Sequence, residues 1–289
     1  MTTQRWVVGV DGSNDSRTAL AWAVAQATGR DTQILALCVW MAPILPSDAI
    51  GQPALLMDWN RFEAELRRHL DEIIASVRFA GMTAGPEITP RVQQGRAART
   101  LIDNSEDAEL LVVGTKGQGG LSGVLLGSIS RQCATHATVP VAVVPAHTAC
   151  VPIRHLVVGY DGSPNAREAV RWALQFAPVA AQIDVVRAVE IVPWTDEASI
   201  RERFPTEVDT ASTEFEAEMD ELDPARRARR SLKLQDARQA LCDAAHDADL
   251  VVLGARGHGR LGAALLGSVS TWMLHAPSHA TVIVPEKHQ

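Results

Sequence analysis

The feature that most constrains the fold of this 289-residue chain is an internal repeat. The segment WVVGVDGSNDSRTALAWA, from Trp6, returns as LVVGYDGSPNAREAVRWA from Leu156, an offset of 150 residues. A second segment, LLVVGTKGQGGLSGVLLGSIS from Leu110, returns as LVVLGARGHGRLGAALLGSVS from Leu250, with 11 of 21 positions identical. Because repeated sequence means a repeated structural unit, the chain is predicted to form two similar domains.

The joint between the two copies is the segment AHTACVPI, which follows Pro145. Small residues and a proline are typical of a linker. We therefore predict one domain over residues 1–146 and a second over residues 152–289. The composition, 46% hydrophobic and 21% charged, is that of a globular protein, and each half is long enough to bury a core of its own.

Short apolar runs alternate with segments of helical period in both copies. Strands alternating with helices, several of the strands continuously apolar, indicate a parallel sheet covered on both faces. The predicted class is α/β, with two tandem doubly wound domains of about five parallel strands each, flanked by helices. In copy one, the strands are expected at residues 6–10, 34–39, 87–92, 110–113 and 139–144, and the later helices at 62–79, 97–105 and 128–136.

Copy two is less regular. Its third strand, expected at residues 231–234, is short, so it is either frayed or absent. An acidic helix is expected at residues 206–223, followed by Arg226, Arg227, Arg229 and Arg230. We interpret the two as a solvated helix whose charges pair with the basic segment.

Composition also excludes several function classes. The longest apolar run falls short of the roughly 18 residues of a membrane helix, and the N-terminus lacks the pattern of a secretion signal, so a cytoplasmic protein without a membrane partner is expected. With a net charge of −7, from 27 basic and 34 acidic residues, the chain lacks the excess of basic residues that is typical of nucleic-acid binding. The cysteines, Cys38, Cys133, Cys150 and Cys242, lack the spacing of a metal site.

The residues that carry chemistry are expected beyond the carboxyl ends of the strands, where ligands bind in open parallel sheets. Asp11 and Asp161 follow the first strand of each copy, and glycine-rich loops begin at Gly114 and Gly254, directly after the fourth. In a doubly wound sheet the first and fourth strands are neighbours. Each aspartate should therefore face its glycine loop across one crevice.

The two loops share one spacing, Gly-x2-Gly-x9-Gly-Ser. Glycine lets a phosphate approach the main chain, and it permits the positive φ angles that turn N–H groups inward. The Gly-Ser pair begins a helix whose N–H groups and dipole favour an anion, and Lys116 or Arg256 adds a positive charge. This pattern predicts a nucleotide-type phosphate site. The shared positions are Gly114, Gly117, Gly127 and Ser128, and Gly254, Gly257, Gly267 and Ser268.

These motifs resemble the universal stress protein family in its tandem form, over about residues 4–285. The resemblance rests on VGVDGS, on the glycine loop followed by Ile-Ser (129–130) or Val-Ser (269–270), and on the last strand Ala-Thr-Val-Pro-Val (137–141). It implies a strand order 3-2-1-4-5 in each domain and association through the last strands, as a homodimer or as an intramolecular domain pair. It also implies ATP as the ligand, with or without Mg²⁺.

The resemblance further implies which residues contact ATP. In copy one they are Gly9, Asp11, Val39, Gly114, Thr115, Lys116, Gly117, Gln118, Gly119, Gly120, Gly127, Ser128 and Ile129. In copy two they are Gly159, Asp161, Val189, Gly254, Ala255, Arg256, Gly257, His258, Gly259, Arg260, Gly267, Ser268 and Val269. Copy two departs further from the family pattern before its third helix, where it has Gln235-Asp236-Ala237, so its adenine wall is expected to differ.

We interpret the chain as an ATP-binding regulator of the stress response that acts on an unidentified protein partner. Hydrolysis needs a positioned base and usually a dedicated magnesium ligand, and no second carboxylate recurs in both copies within the aspartate and glycine-loop motifs themselves. A weak ATPase or autophosphorylating enzyme, and a structural interaction protein with vestigial sites, remain the alternatives. Trp40, Trp59 and Trp194, after the second strands, either line the ligand or a dimer surface, or cap the sheet.

Overall fold

The computed structural model describes residues 3–42, 58–79, 85–117, 126–190, 197–257, 265–275 and 278–286. The first half contains β1 (Gln4–Gly9), α1 (Asn14–Ala27), β2 (Thr32–Trp40), α2 (Trp59–Phe79), β3 (Glu87–Gln94), α3 (Ala97–Ser105), β4 (Leu110–Gly114), α4 (Ser128–His136) and β5 (Val141–Val144). The second contains β6 (His155–Tyr160), α5 (Pro164–Phe176), β7 (Gln182–Ala188), α6 (Glu197–Arg203), α7 (Pro205–Leu222), β8 (Arg229–Lys233), α8 (Ala237–Ala245), β9 (Leu250–Gly254), α9 (Ser268–His275) and β10 (Ala280–Val284).

All of these strands join one ten-stranded sheet, in the order β3-β2-β1-β4-β5-β10-β9-β6-β7-β8. Each half has the order 3-2-1-4-5 with parallel neighbours, so the predicted doubly wound α/β fold is confirmed. The two last strands pair antiparallel, with Val282 opposite Ala142. This pairing unites the two sheets within one chain.

The central strands are apolar along their whole length because helices cover both faces of the sheet. Every residue of β4 is buried, and β9 is buried up to its final glycine. The helices α1 and α5 begin behind Ser13 and Ser163, whose side chains accept hydrogen bonds from the main-chain N–H groups of Ser16 and Ala166. These N-caps place the start of each helix directly after the first strand.

The longest described helix, α2, has 21 residues and is amphipathic. Its Leu70, Ile73, Ile74 and Val77 are buried against the sheet. Its other face carries exposed ion pairs four residues apart, such as Arg68 with Glu72. No helix in the described ranges combines the length and the apolarity needed to cross a membrane.

The third strand of the second half is present, although it has five residues where β3 has eight. The predicted pairing between the acidic helix and the basic segment is also confirmed. Arg230, whose side chain is only 6% exposed, donates to Glu216 at 2.7 Å and to Asp220 at 2.6 Å. Arg226 adds a contact to Asp220 at 2.8 Å. These ion pairs hold α7 against β8.

An aromatic cluster packs the two halves together. Phe176, at the end of α5, has its ring centroid 5.9 Å from Trp6, 6.5 Å from Trp22 and 4.3 Å from Trp172. Since Trp6 and Trp22 belong to the first half and Phe176 to the second, the domains share one continuous core.

We expect Phe176→Ala to lower the free energy of unfolding by about 3–5 kcal/mol, the usual cost of removing a buried phenylalanine ring. Urea unfolding followed by circular dichroism measures it. Val179→Ala is the control, because Val179 is 95% exposed and its truncation should cost less than about 0.5 kcal/mol. Equal midpoints for Phe176→Ala and the wild type would show that the junction contributes little to stability.

Candidate functional site

Each half contains a crevice at the carboxyl ends of its first and fourth strands, where the winding of the sheet reverses. The first crevice is a cavity of about 60 Å³ between β1, β4 and the start of α4. The second, at the equivalent place, is a cavity of about 250 Å³. The aspartates and glycine loops that the sequence placed together meet in these two cavities.

The aspartates are held by the turn that follows them. The Ser13 N–H donates to Asp11 Oδ1 at 3.0 Å, and the Ser13 hydroxyl donates to the same oxygen at 2.6 Å. In the second half the Ser163 N–H donates to Asp161 Oδ1 at 3.0 Å. Such Asx turns fix a carboxylate without using both of its oxygens.

The second carboxylate oxygen of each aspartate lies against the glycine loop. A Cβ on Gly117 would lie 2.6 Å from Asp11 Oδ2, and a Cβ on Gly257 would overlap Asp161 Oδ2. Real Cβ atoms do not approach an oxygen so closely. A side chain at either position would displace the carboxylate, so glycine here lets the aspartate approach the main chain closely.

The expectation that the loop glycines adopt positive φ angles is wrong for those the structure describes. The left-handed glycines near the two sites are Gly12 and Gly162, with φ of 86° and 84°, in the Asp-Gly-Ser turn. Sequence reasoning did not assign them this role, although Asp-Gly is a standard turn signal. Gly114 and Gly254 serve close packing instead, because a Cβ on either would lie 2.7 Å from the main chain of α1 or α5.

The start of the last helix in each half is tied to the end of the fourth strand. The Gly127 N–H donates to the Thr115 carbonyl at 2.6 Å, and the Gly267 N–H donates to the Ala255 carbonyl at 2.9 Å. The Ser130 hydroxyl donates to the Gly114 carbonyl at 2.6 Å. The first N–H groups of a helix have no acceptor within that helix, so the N-termini of α4 and α9 present donors at the crevices.

The cationic side chains Lys116 and Arg256 line the two cavities. Their main-chain carbonyls lie 3.3 Å and 3.2 Å from the hydroxyl oxygens of Ser13 and Ser163, so the first described residues of each loop lie beside the aspartate turn. A positive charge, helix N–H groups and loop main chain thus surround each cavity. This arrangement suits an anionic ligand.

Asp15 is a residue of site one that sequence reasoning missed. Its Oδ2 accepts the Lys116 N–H at 3.1 Å and a short hydrogen bond from the Thr115 hydroxyl. The counterpart of Asp15 in the second half is Asn165, at the 150-residue offset of the repeat. The second half therefore has a neutral amide at the position of this carboxylate.

The inner walls of both cavities are apolar.

The structure places the predicted contact residues in three groups. Those that line a described cavity are Gly9, Asp11, Val39, Gly114, Lys116, Gly117 and Ile129, and Gly159, Asp161, Gly254, Arg256, Gly257, Gly267, Ser268 and Val269. Thr115 and Ala255 are buried beneath the loops, Gly127 and Ser128 begin α4, and Gln118, Gly119, Gly120, His258, Gly259 and Arg260 lie outside the described residues.

Val189 is not among the lining residues of the second cavity, where the preceding Ala188 lies on the wall. Val189 packs instead with Ile200, Val208 and Leu234, in a small cluster beneath α6 and α7. Side chains alternate between the two faces of a strand, so a shift of one residue moves the contact to the other face.

The tryptophans after the second strand form a cap of their own. Trp40 stacks on Trp59 at 5.3 Å and contacts the edge of Phe62 at 5.2 Å, and its indole N–H donates to Glu63 at 3.1 Å. Neither tryptophan is among the residues that line the first cavity. Of the two interpretations, the cap on the sheet agrees with these contacts. Trp194 lies outside the described residues.

The electrostatics of the crevices shift two nearby groups. Burial and the negative charge of Asp11 raise the pKa of the Cys38 thiol. Burial and a 2.8 Å hydrogen bond to Glu218 raise the pKa of Tyr160, which lines the second cavity, to about 12. Tyr160 is therefore a neutral hydroxyl at physiological pH. Among the described residues, no three His, Cys, Asp or Glu side chains cluster closely enough to hold a metal ion.

The fold and the paired crevices define a class: tandem doubly wound α/β proteins with a crevice at the switch point of each half. The family model described as "Universal stress protein family" matches residues 2–145 and again residues 152–285. The chain belongs to the universal stress protein family.

Similar proteins span the whole chain. A universal stress protein of Mycolicibacterium smegmatis is 31% identical over 290 residues, covering 96% of both chains. One of Mycobacterium tuberculosis is 30% identical over 310 residues, covering 96% of this chain and 93% of its own. The crystal structure of a universal stress protein from Archaeoglobus fulgidus has a TM-score of 0.64 at 14% identity, over 99% of this chain and 100% of its own, so the likeness there is one of fold.

We expect Asp11→Asn to speed alkylation of Cys38 by iodoacetamide at a fixed, mildly alkaline pH. Removing the negative charge lowers the pKa of Cys38 and increases the thiolate fraction, which is the reactive form. Mass spectrometry of peptides after timed quenching gives the rate for each cysteine. Cys150 is the internal control, because burial alone raises its pKa, and its rate should not change. An unchanged rate at Cys38 would contradict the coupling.

Proposed function

We propose that the protein binds ATP in both crevices and acts as a nucleotide-dependent regulator of stress response or growth. The observation that carries this proposal is the repeated site: in both halves a fixed aspartate, a glycine loop, a helix N-terminus and a cationic side chain surround one cavity. Phosphate recognition uses these elements together.

The residues present suit the parts of ATP. The main chain at Gly117 and Gly257 has no side chain that would hold a phosphate away, and Lys116 and Arg256 supply the charge that favours the phosphates. Asp11 and Asp161 would accept from the ribose hydroxyls or ligate Mg²⁺, which when bound neutralises phosphate charge. The apolar inner walls, with Leu101 in the first half, would contact adenine.

The lining supports binding over catalysis. Each cavity has one carboxylate in its described lining, and an oxygen of that carboxylate is already occupied by the turn that follows it. A hydrolase needs a group placed to orient water or accept its proton. The proposed role of occupancy is to fix the loop against α4 or α9 and so alter the surface offered to a protein partner.

The two sites are proposed to differ in affinity, with site two the tighter. Its cavity is larger, at about 250 Å³ against about 60 Å³. It has the neutral Asn165 at the position of Asp15, so one negative charge fewer lies near its loop. Since like charges repel, the carboxylate of Asp15 should make binding of the ATP phosphates at site one less favourable.

We expect Asp161→Ala with Gly257→Ala to weaken ATP binding more than Asp11→Ala with Gly117→Ala does. Either pair should reduce affinity at its own site by at least about tenfold, since each removes a charged partner and adds a Cβ to the loop that a phosphate must approach closely. Isothermal titration calorimetry on the full chain measures both sites.

Gly85→Ala is the matched control, because its Cβ would meet only a Val24 methyl group at 3.8 Å. Its ATP affinity should equal that of the wild type. If the variant with all four site substitutions folds and binds ATP like the wild type, the site assignment is wrong. If Asp11→Ala with Gly117→Ala caused the larger loss of ATP affinity, the proposed order of the two sites would be reversed.

We expect the purified, denatured protein to release intact ATP, approaching two molecules per chain after incubation with excess ATP. Chromatography with mass spectrometry identifies and counts the released nucleotide. Predominant ADP after incubation with pure ATP would favour the weak ATPase. A protein that neither carries nor takes up nucleotide would favour the structural role with vestigial sites.

A further inference from the structure

A third cavity, of about 450 Å³, lies between the two halves, away from both crevices. Gln4 and Trp6 border it at the amino end of β1, whereas the first crevice lies beyond the carboxyl end of that strand. The second half contributes Trp172 and Phe176 from α5. Its volume falls in the range of small-molecule sites.

The repeat supplies a reference for this cavity. The residues of α5 that line it include Glu168 and Phe176, whose counterparts in α1 are Thr18 and Gln26. These counterparts in α1 border the equivalent groove on the other side of the domain junction. There the linker lies on them. Thr18 donates to the Ala146 carbonyl at 3.1 Å, and Gln26 bonds the Val151 carbonyl at 2.7 Å and the Ile153 N–H at 3.2 Å.

The linker also crosses to the far wall of that groove, where the His147 ring bonds the Ser278 carbonyl at 3.2 Å. The chain has only one linker between two copies, and it fills one of two equivalent grooves. The groove beside α5 is the one left as a cavity. This asymmetry gives the protein a site that neither domain has alone.

The charge of the cavity centres on Arg30. Its guanidinium lies 4.7 Å from the centre of the Phe176 ring and donates to the Phe176 carbonyl at 2.6 Å. Burial lowers the pKa of Arg30, and no carboxylate of the described chain contributes to that shift. The other arginine on the wall, Arg171, is paired with Glu168 at 2.5 Å. Arg30 is therefore a partly desolvated cation that forms no ion pair with a carboxylate of the described chain, although Glu109 also lines the cavity.

The wall beside Arg30 is aromatic. Trp172 and Phe176 stack at 4.3 Å with an interplanar angle of 15°, so Phe176 covers one face of the indole. Trp172 is half-buried and lines the cavity. A cavity wall that contains an indole and an arginine suits a flat ring that carries a negative charge, because the indole can stack on the ring and the arginine can donate a charge-assisted hydrogen bond.

We propose that this interdomain cavity, bordered by Gln4, Trp6, Arg30, Trp172, Gln175 and Phe176, is a second kind of ligand site that binds a small aromatic carboxylate. Arg30 holds the carboxylate and Trp172 contacts the ring. Because the wall comes from both halves, occupancy strengthens the domain junction. The site is independent of ATP, so the proposal stands whether or not the crevices bind nucleotide.

The test uses 2-naphthoate and its neutral analogue 2-naphthamide on the full chain, by isothermal titration calorimetry, with and without saturating ATP. We expect one molecule of 2-naphthoate per chain in both conditions, and binding of 2-naphthamide weaker by at least about tenfold. Arg30→Gln should weaken the binding of 2-naphthoate by a similar factor. Gln175→Trp, at an exposed position of α5 on the cavity wall, should abolish binding by filling the space.

Two matched variants control for charge and bulk. Arg67→Gln and Glu72→Trp change exposed residues of α2, far from the cavity wall, and should bind 2-naphthoate like the wild type. Circular dichroism confirms that each variant is folded. Equal binding of the amide and the carboxylate, full binding by folded Gln175→Trp, or no binding of 2-naphthoate at millimolar concentration would each overturn the proposal.

Discussion

The antiparallel pairing of β5 with β10 is the interaction on which the rest of the architecture depends. Without it each half would end in an exposed edge strand of mostly apolar residues, a surface that promotes aggregation. With it, the two five-stranded sheets become one, and α1 and α5 are brought to the same face. The aromatic cluster around Phe176 and the interdomain cavity both exist because of that placement.

Within each half, a second constraint builds the crevice: the carboxylate of the first strand end touches the main chain of the glycine loop. The turn holds one oxygen of Asp11, and the other lies only 2.6 Å from the position that a Cβ on Gly117 would take. The same geometry recurs at Asp161 and Gly257, so the repeat preserves the site as well as the fold.

The copies nevertheless diverge in ways that bear on function. Asn165 replaces Asp15 beneath the loop, Tyr160 replaces Val10 on the cavity wall, and β8 is shorter than β3. Each change lies near the second crevice, whose volume is the larger. Duplication followed by such local changes gives one chain two related sites of different character, together with an unrelated site at the junction.

Sequence alone determined the element order of the first half, the doubly wound class and the meeting of Asp11 with its loop, because strand ends, glycine spacing and helical period are local properties. It did not predict α6 in the second half. Only the tertiary structure decided what depends on distances between elements: that Gly117 serves close approach and not a positive φ, that Val189 packs beneath α6 and α7, and that Asp15 supports the first loop. It also decided which groove the linker fills, since a repeat is symmetric in sequence, whereas the single connection between its copies breaks that symmetry in space.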